Sequence, residues 1–146
     1  MNTVLAEAAE LVAAGAVELN LIAQDTAYYG RDSKDMPRLA TLLTELAELD
    51  GLAWIRLMYL YPARIDKNLI ETVAACRKIV KYFDIPIQHV NSRILKAMRR
   101  AETADRIRPL IDNLRTAIPD AALRTTLIIG FPGETDDEFD QLLGFV

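Results

Sequence analysis

Four short segments concentrate side chains and backbone able to hold a polar small molecule. They are Gln24-Asp25-Thr26 with the following Tyr28-Tyr29-Gly30; Tyr59-Leu60-Tyr61-Pro62, with Arg56 shortly before it; Ile85-Pro86-Ile87-Gln88-His89; and Gly130-Phe131-Pro132-Gly133-Glu134-Thr135. Each ends an apolar run. The last is the strongest local signal, because glycine lets backbone approach a ligand closely. It is not a Walker loop, which needs Lys followed by Ser or Thr. No acid–base pair and no nucleophile–base couple stands out, so these residues point to binding and not to acid–base or covalent chemistry of their own, and no catalytic residue is assigned.

Each position also has a purely structural reading. Gln24 and Asp25 could begin a turn, since Asp bonds nearby backbone amides. Arg56 inside an apolar strand must be paired, face a polar lumen or snorkel from an edge. His89 is the only histidine, and a lone histidine is more often a hydrogen-bonded structural residue than a ligand or base. Tyr59 and Tyr61 can pack as readily as touch a ligand. Lys96, Arg99 and Arg100 can be a solvated basic face. Cys76 lies on the apolar stripe of a predicted helix and reads as core.

The elements that must position these groups alternate. Buried strands are predicted over Val17–Ala23, Trp54–Leu60, Tyr82–Gln88 and Leu123–Phe131. Between them, apolar residues at three- and four-residue spacing predict helices over Val4–Ala14, Arg38–Leu49, Lys67–Arg77, Ser92–Arg99 and Ala104–Ile118. The first has Thr3 or Asn2 as its cap and Gly15 as its stop. A last helix opens at Thr135, where Thr135-Asp136-Asp137-Glu138 has capping-box spacing. Strand starts recur at roughly 30–40 residues, the length of a βαβ unit. The near-continuous apolar strands predict a parallel sheet covered on both faces. Right-handed crossovers curl such units into part of a barrel, with the four exits on the rim where ligands bind. Four strands leave two open edges, a route to self-association.

Composition sets the outer limits. The chain has 146 residues, 51% hydrophobic and 26% charged, enough to bury a core. Its net charge of −4 argues against a generic nucleic-acid or membrane-surface binder. No apolar run approaches the roughly 18–20 residues that span a bilayer. A single cysteine forms no internal disulfide, which suits a reducing cytoplasm, and one Cys with one His cannot supply a four-ligand zinc site. No metal ligand is assigned.

In order, Leu21–Gly30, Trp54–Pro62, Tyr82–His89 and Arg124–Thr135 resemble the radical S-adenosylmethionine (SAM) core of methylthiotransferases, and most closely the branch that modifies an aspartate of a small-subunit ribosomal protein. The resemblance covers nearly the whole chain. Tyr-Leu-Tyr-Pro and Ile-Pro-Ile-Gln-His are its branch-specific parts, and the transfer-RNA branch usually has Gln-Ser-Gly-Ser where this chain has Gln88-His89-Val90-Asn91. It implies an α/β fold, a partial parallel (β/α) barrel of which this chain supplies about four units. It also implies SAM as cofactor, with a cluster of four irons and four sulfurs held by a Cys-x-x-x-Cys-x-x-Cys loop. A second cluster lies in an N-terminal domain, and a C-terminal β-barrel domain helps hold the substrate.

Carried over residue by residue, Gln24 and Asp25 meet the amino group of SAM and Gln88 and His89 approach its ribose. Ile128 and Gly130 contact adenine, Arg100 or its neighbour Arg99 meets the carboxylate, and Arg56 faces the lumen. The cysteine loop is absent from this sequence, since Cys76 is alone and elsewhere. Residues 1–146 are therefore expected to be one incomplete core domain, without the cysteine loop or either flanking domain, inactive alone and binding SAM at millimolar strength or worse. The alternatives are the transfer-RNA branch and a folded remnant without catalysis.

Overall fold

The computed structural model describes residues 1–32, 34, 38–100 and 104–146. Its strands are β1 (Glu18–Leu21), β2 (Trp54–Leu57), β3 (Ile79–Asp84) and β4 (Ala122–Arg124), hydrogen-bonded in the order β1-β2-β3-β4 with every pairing parallel. Its helices are α1 (Asn2–Ala13), α2 (Leu39–Ala47), α3 (Lys67–Ala75), α4 (Ser92–Ala97), α5 (Ala104–Ala117) and α6 (Asp136–Leu143). Neighbouring strands are thus consecutive in the chain, as in a barrel, and the α/β partial-barrel reading holds.

The core lies on one side of the sheet. Leu19, Ile55, Leu57, Ile79 and Phe83 point into it and meet Leu42, Leu43 and Leu46 of α2, Leu69 and Val73 of α3, and Ile107 and Leu114 of α5. The strands were expected to be covered on both faces; that expectation is corrected. By strand alternation Glu18, Trp54, Arg56, Tyr82, Asp84 and Arg124 turn the other way. Trp54 on that face is 53% exposed. The apolar runs misled because single polar residues of the open face, such as Arg56, stand between strongly apolar core residues, here Ile55 and Leu57.

Strand limits also differ. β3 begins three residues before the expected Tyr82, and the chain bulges where Ile55↔Ile79 gives way to Leu57↔Phe83. Lys81 had disguised its start. Its Nζ reaches back to the carbonyls of Val73 and Cys76 (2.7 Å to the latter), so a strand lysine closes the end of α3. The fourth run shrinks to Ala122–Arg124, followed by an isolated parallel bridge between Gln88 and Leu127. Met1, not Asn2 or Thr3, caps α1, with no side-chain bond. The capping box at Thr135 is present in both directions.

Candidate functional site

Backbone contacts gather the strand exits at the carboxyl end of the sheet. After β1, the Thr26 amide donates to the Tyr59 carbonyl at 3.1 Å and the Thr26 hydroxyl to the Met58 carbonyl at 2.6 Å. After β3, the Gln88 amide donates to Thr126 at 2.9 Å and the Ile128 amide to Gln88 at 2.8 Å. Between these pairs, the Leu60 amide donates to the Asp84 carbonyl at 2.8 Å. These bonds border an open hollow of about 340 Å3, walled by Gln24, Tyr59, Tyr61, Gln88, Arg100 and Thr126.

Two of those wall residues are strained. Tyr59 (φ 53°) and Gln88 (φ 68°) occupy the left-handed region, as does Arg99 (φ 58°) beside Arg100. Such backbone costs roughly 1–2 kcal/mol per residue without glycine, and it clusters where side chains are aimed for a task. Buried Asp84 locks one of these positions, its Oδ2 accepting the Tyr59 amide at 3.1 Å and its Oδ1 the Arg124 guanidinium at 2.9 Å.

The predicted site residues divide into those the cavity gathers and those it leaves behind. Gln24, Gln88 and Arg100 converge on it. Arg100 also donates to the Pro86 carbonyl at 3.0 Å and lies 4.7 Å above the Tyr61 ring. Arg64 also lies 4.9 Å from the centre of that ring and 4.8 Å from that of Tyr28, so guanidinium groups and aromatic rings share the rim. Asp25 turns away from the cavity. It binds Arg64 at 2.5 Å and accepts the amides of Ala27 (3.1 Å) and Tyr61 (3.3 Å), so its role is to join two exits.

His89 is fully buried and does not reach the cavity either. Its Nδ1 accepts the Asn91 amide at 2.9 Å, which leaves Nε2 to donate to Glu134 at 3.4 Å. Arg56 faces the open side of the sheet, lower down and outside the cavity lining, donating to Glu18 at 2.7 Å and stacking 5.3 Å from the Tyr82 ring. Ile128 is 41% exposed and is tied to Gln88 through its amide. Gly130 has φ 74°, with open space where a Cβ would project.

Sequence reasoning missed a second polar cluster, which clamps the β4 exit onto the β3 exit. Arg93 of α4 grips both oxygens of Glu138, one at 2.5 Å from Nε, and donates to the Gly133 carbonyl at 2.6 Å. Asn91 caps α4 and donates to Gln141 at 2.8 Å. The Arg93 guanidinium, with the Thr135 amide, holds the Glu138 carboxyl down at about 2. Burial alone would raise the Glu134 carboxyl, but the Phe131 amide, the His89 ring and the Gly130 amide outweigh it and hold the group below its ordinary value. Nothing in the spacing of 45 residues pairs Arg93 with Glu138.

A larger cavity, about 490 Å3, opens beside β1 against Val4, Leu11, Leu19, Ile22, Tyr28 and Leu42. It is mainly apolar and borders an unpaired strand edge. The rim cavity, with convergent polar groups and strained backbone, is the better ligand site.

The Radical SAM superfamily model matches residues 1–146. The chain is similar to the ribosomal protein uS12 methylthiotransferase RimO of Geobacter sulfurreducens, 56% identical over 146 residues, all of this chain and 33% of the relative. It is likewise similar to the proteins of that name from Geotalea uraniireducens, 52% identical over 146 residues (all of this chain, 33% of the relative), and Clostridioides difficile, 50% over 143 residues (98% of this chain, 32% of the relative). The chain therefore spans about a third of the length of the curated relatives it matches.

The residues present fit the two groups this kinship implies unequally. The rim offers carboxamides, a guanidinium and a glycine-lined turn suited to a sulfonium nucleoside. An iron–sulfur cluster takes cysteine thiolates, and the single Cys76 packs against the helix-side core. Among the described residues no three His, Cys, Asp or Glu side chains converge to hold a metal. The cluster does not fit these 146 residues.

Proposed function

This chain belongs to the radical SAM superfamily, and from that premise we propose that it forms the nucleoside-binding rim and substrate-facing sheet of a methylthiotransferase acting on the β-carbon of an aspartate in a small-subunit ribosomal protein. The observation that carries the reading is the convergence of Gln24, Gln88 and Arg100 on one cavity among four strand exits. Gln24 hydrogen-bonds the amino group of SAM, Gln88 the ribose, Arg100 the carboxylate by its planar fork, and Ile128 lies against adenine. Bound there, SAM supplies a sulfonium-activated nucleoside. His89, Asp25 and Glu134 support the cavity without touching the ligand.

The relatives' names speak for the ribosomal-protein branch over transfer RNA, and the net charge of −4 agrees. Residues 1–146 act as one incomplete core domain, whose ligated cluster and substrate-gripping domains lie outside them. The free edges of β1 and β4 are where further strands, or a second copy, would pair. No helix of the described residues is long and apolar enough to cross a membrane; a cytoplasmic site of action follows from the proposed substrate.

Calorimetry with S-adenosylhomocysteine tests the reading. In an enzyme of the relatives' length carrying this chain, Gln24→Ala and Gln88→Ala are expected to weaken binding by about tenfold each, one neutral hydrogen bond apiece. Unchanged affinity in both variants would remove the cavity from the account.

A further inference from the structure

The open face of the sheet carries two arginines, held in different ways. Arg56 is committed: its Nε donates to Glu18 and its plane rests against Tyr82. Arg124 is anchored by one nitrogen only. Its Nη1 donates to Asp84 at 2.9 Å, and among the described residues the guanidinium makes no other hydrogen bond. The Arg124 side chain is 52% exposed, whereas the Asp84 side chain beneath it is fully buried.

Asp84 is fixed from its far side by the Tyr59 amide, so it holds the guanidinium at a set angle. Leu123 packs against the helix-side core, which sends its neighbour Arg124 to the open face. Two residues further along, Thr126 lines the rim cavity. Arg124 itself borders a separate cavity with Arg108 and Asp112, but the buried carboxylate that orients its half-exposed guanidinium also holds the Tyr59 amide of the rim cavity, which ties the fork to that rim. Near that mouth Arg64 pairs with Asp25 and Arg124 with Asp84, and Arg100 lies over the Tyr61 ring.

We infer that the outward edge of Arg124 binds the side-chain carboxylate of the substrate aspartate, holding its β-carbon toward the nucleoside. The inference rests on the proposed aspartate substrate and adds the residue that recognises it. A carboxylate offers two acceptors to the fork. An asparagine in the same place turns an N–H group against N–H donors, so the site rejects the amide as well as attracting the acid. The methionine carboxylate of SAM has the same chemistry, and the experiment separates the two sources.

The test uses the full-length enzyme carrying this chain and two fluorescent peptides from ribosomal protein uS12, one with the target aspartate and one with asparagine in its place. Anisotropy reports peptide binding, and calorimetry reports S-adenosylhomocysteine binding. R124Q is expected to weaken the aspartate peptide about 10- to 100-fold, the scale of a charge-assisted hydrogen-bond pair, while the asparagine peptide and the nucleoside stay within about twofold. R124K, which keeps the charge and loses the fork, falls between and stands in should R124Q fail to fold. Equal losses on both peptides would make Arg124 a merely structural residue and overturn the inference, as would weakened nucleoside binding with the aspartate preference intact. A wild-type enzyme that does not distinguish the two peptides would instead overturn the aspartate reading itself. One that does, together with an R124Q that distinguishes them equally well, would overturn only the assignment to Arg124.

Discussion

Two polar clusters lie side by side at the carboxyl end of the sheet, and they are built on opposite plans. In the clamp, His89, Asn91 and Arg93 on one side meet Glu134, Gln141 and Glu138 on the other, and the acceptors are engaged by ring, amide or guanidinium donors. The backbone of these six residues is free of left-handed strain. In the cavity, Tyr59 and Gln88 hold unfavourable backbone angles and Gln24 is exposed. A satisfied network rigidifies the fold, whereas strained backbone clusters where side chains are aimed for a task, in line with the proposed binding role of the cavity. The contrast teaches that polar residues adjacent in sequence, Gln88 and His89, can belong to different clusters with different tasks.

The largest effect expected from breaking the clamp is that of His89→Ala. It removes a fully buried ring and leaves the Asn91 amide and Glu134 without their partner, so urea denaturation should show a loss of about 3 kcal/mol. A loss below about 1 kcal/mol would mean that the clamp contributes little.

Acid should act on the same cluster next. The Glu138 carboxyl is lowered from 4.5 to about 2, and Glu134 is lowered too. A carboxyl with a depressed folded value contributes stability that is present above its ordinary value and is lost as pH falls through the folded one. Urea midpoints followed from pH 6 to pH 2.5 should therefore fall steadily below about 4.5, and Glu138→Gln should flatten the fall.

The cavity should respond the other way round. Gln88→Gly relieves a left-handed residue at roughly 1–2 kcal/mol but adds about 0.5–1 kcal/mol of chain entropy, so stability should hold or rise slightly. Affinity for S-adenosylhomocysteine should nonetheless drop about tenfold, through loss of the carboxamide. A variant that loses stability and affinity together would blur the contrast between the clusters. The smallest effect belongs to neither: Glu71→Ala, which breaks the exposed Lys67–Glu71 pair at 3.4 Å, should change the urea midpoint by no more than about 0.5 kcal/mol equivalent.

Much of this architecture was legible in the residues. Helical spacing located α1 to α5, and Thr135 with Glu138 announced the start of α6. The rule that parallel strands present ligands at their carboxyl ends brought Gln24 and Gln88 to one cavity before any coordinates. Burial was not legible. Asp25 and His89 sit next to cavity residues in sequence, yet the turn at Thr26 and the reversal at Gln88 send them inward. The argument that a charge in an apolar strand needs a partner, applied to Arg56, holds equally for Asp84 and Arg124 and would have found that pair. Arg93 with Glu138 was out of reach, because only the closed fold brings α4 and α6 together.

The most direct test of the rim cavity is a titration of the isotope-labelled 146-residue chain with S-adenosylhomocysteine, followed by NMR. Carboxamide N–H signals of Gln24 and Gln88 and the backbone signals of Arg100 and Ile128 should move together at millimolar ligand, while His89 ring signals barely shift. Movement confined instead to Leu11, Ile22 and Leu42, around the apolar cavity beside β1, would contradict the account.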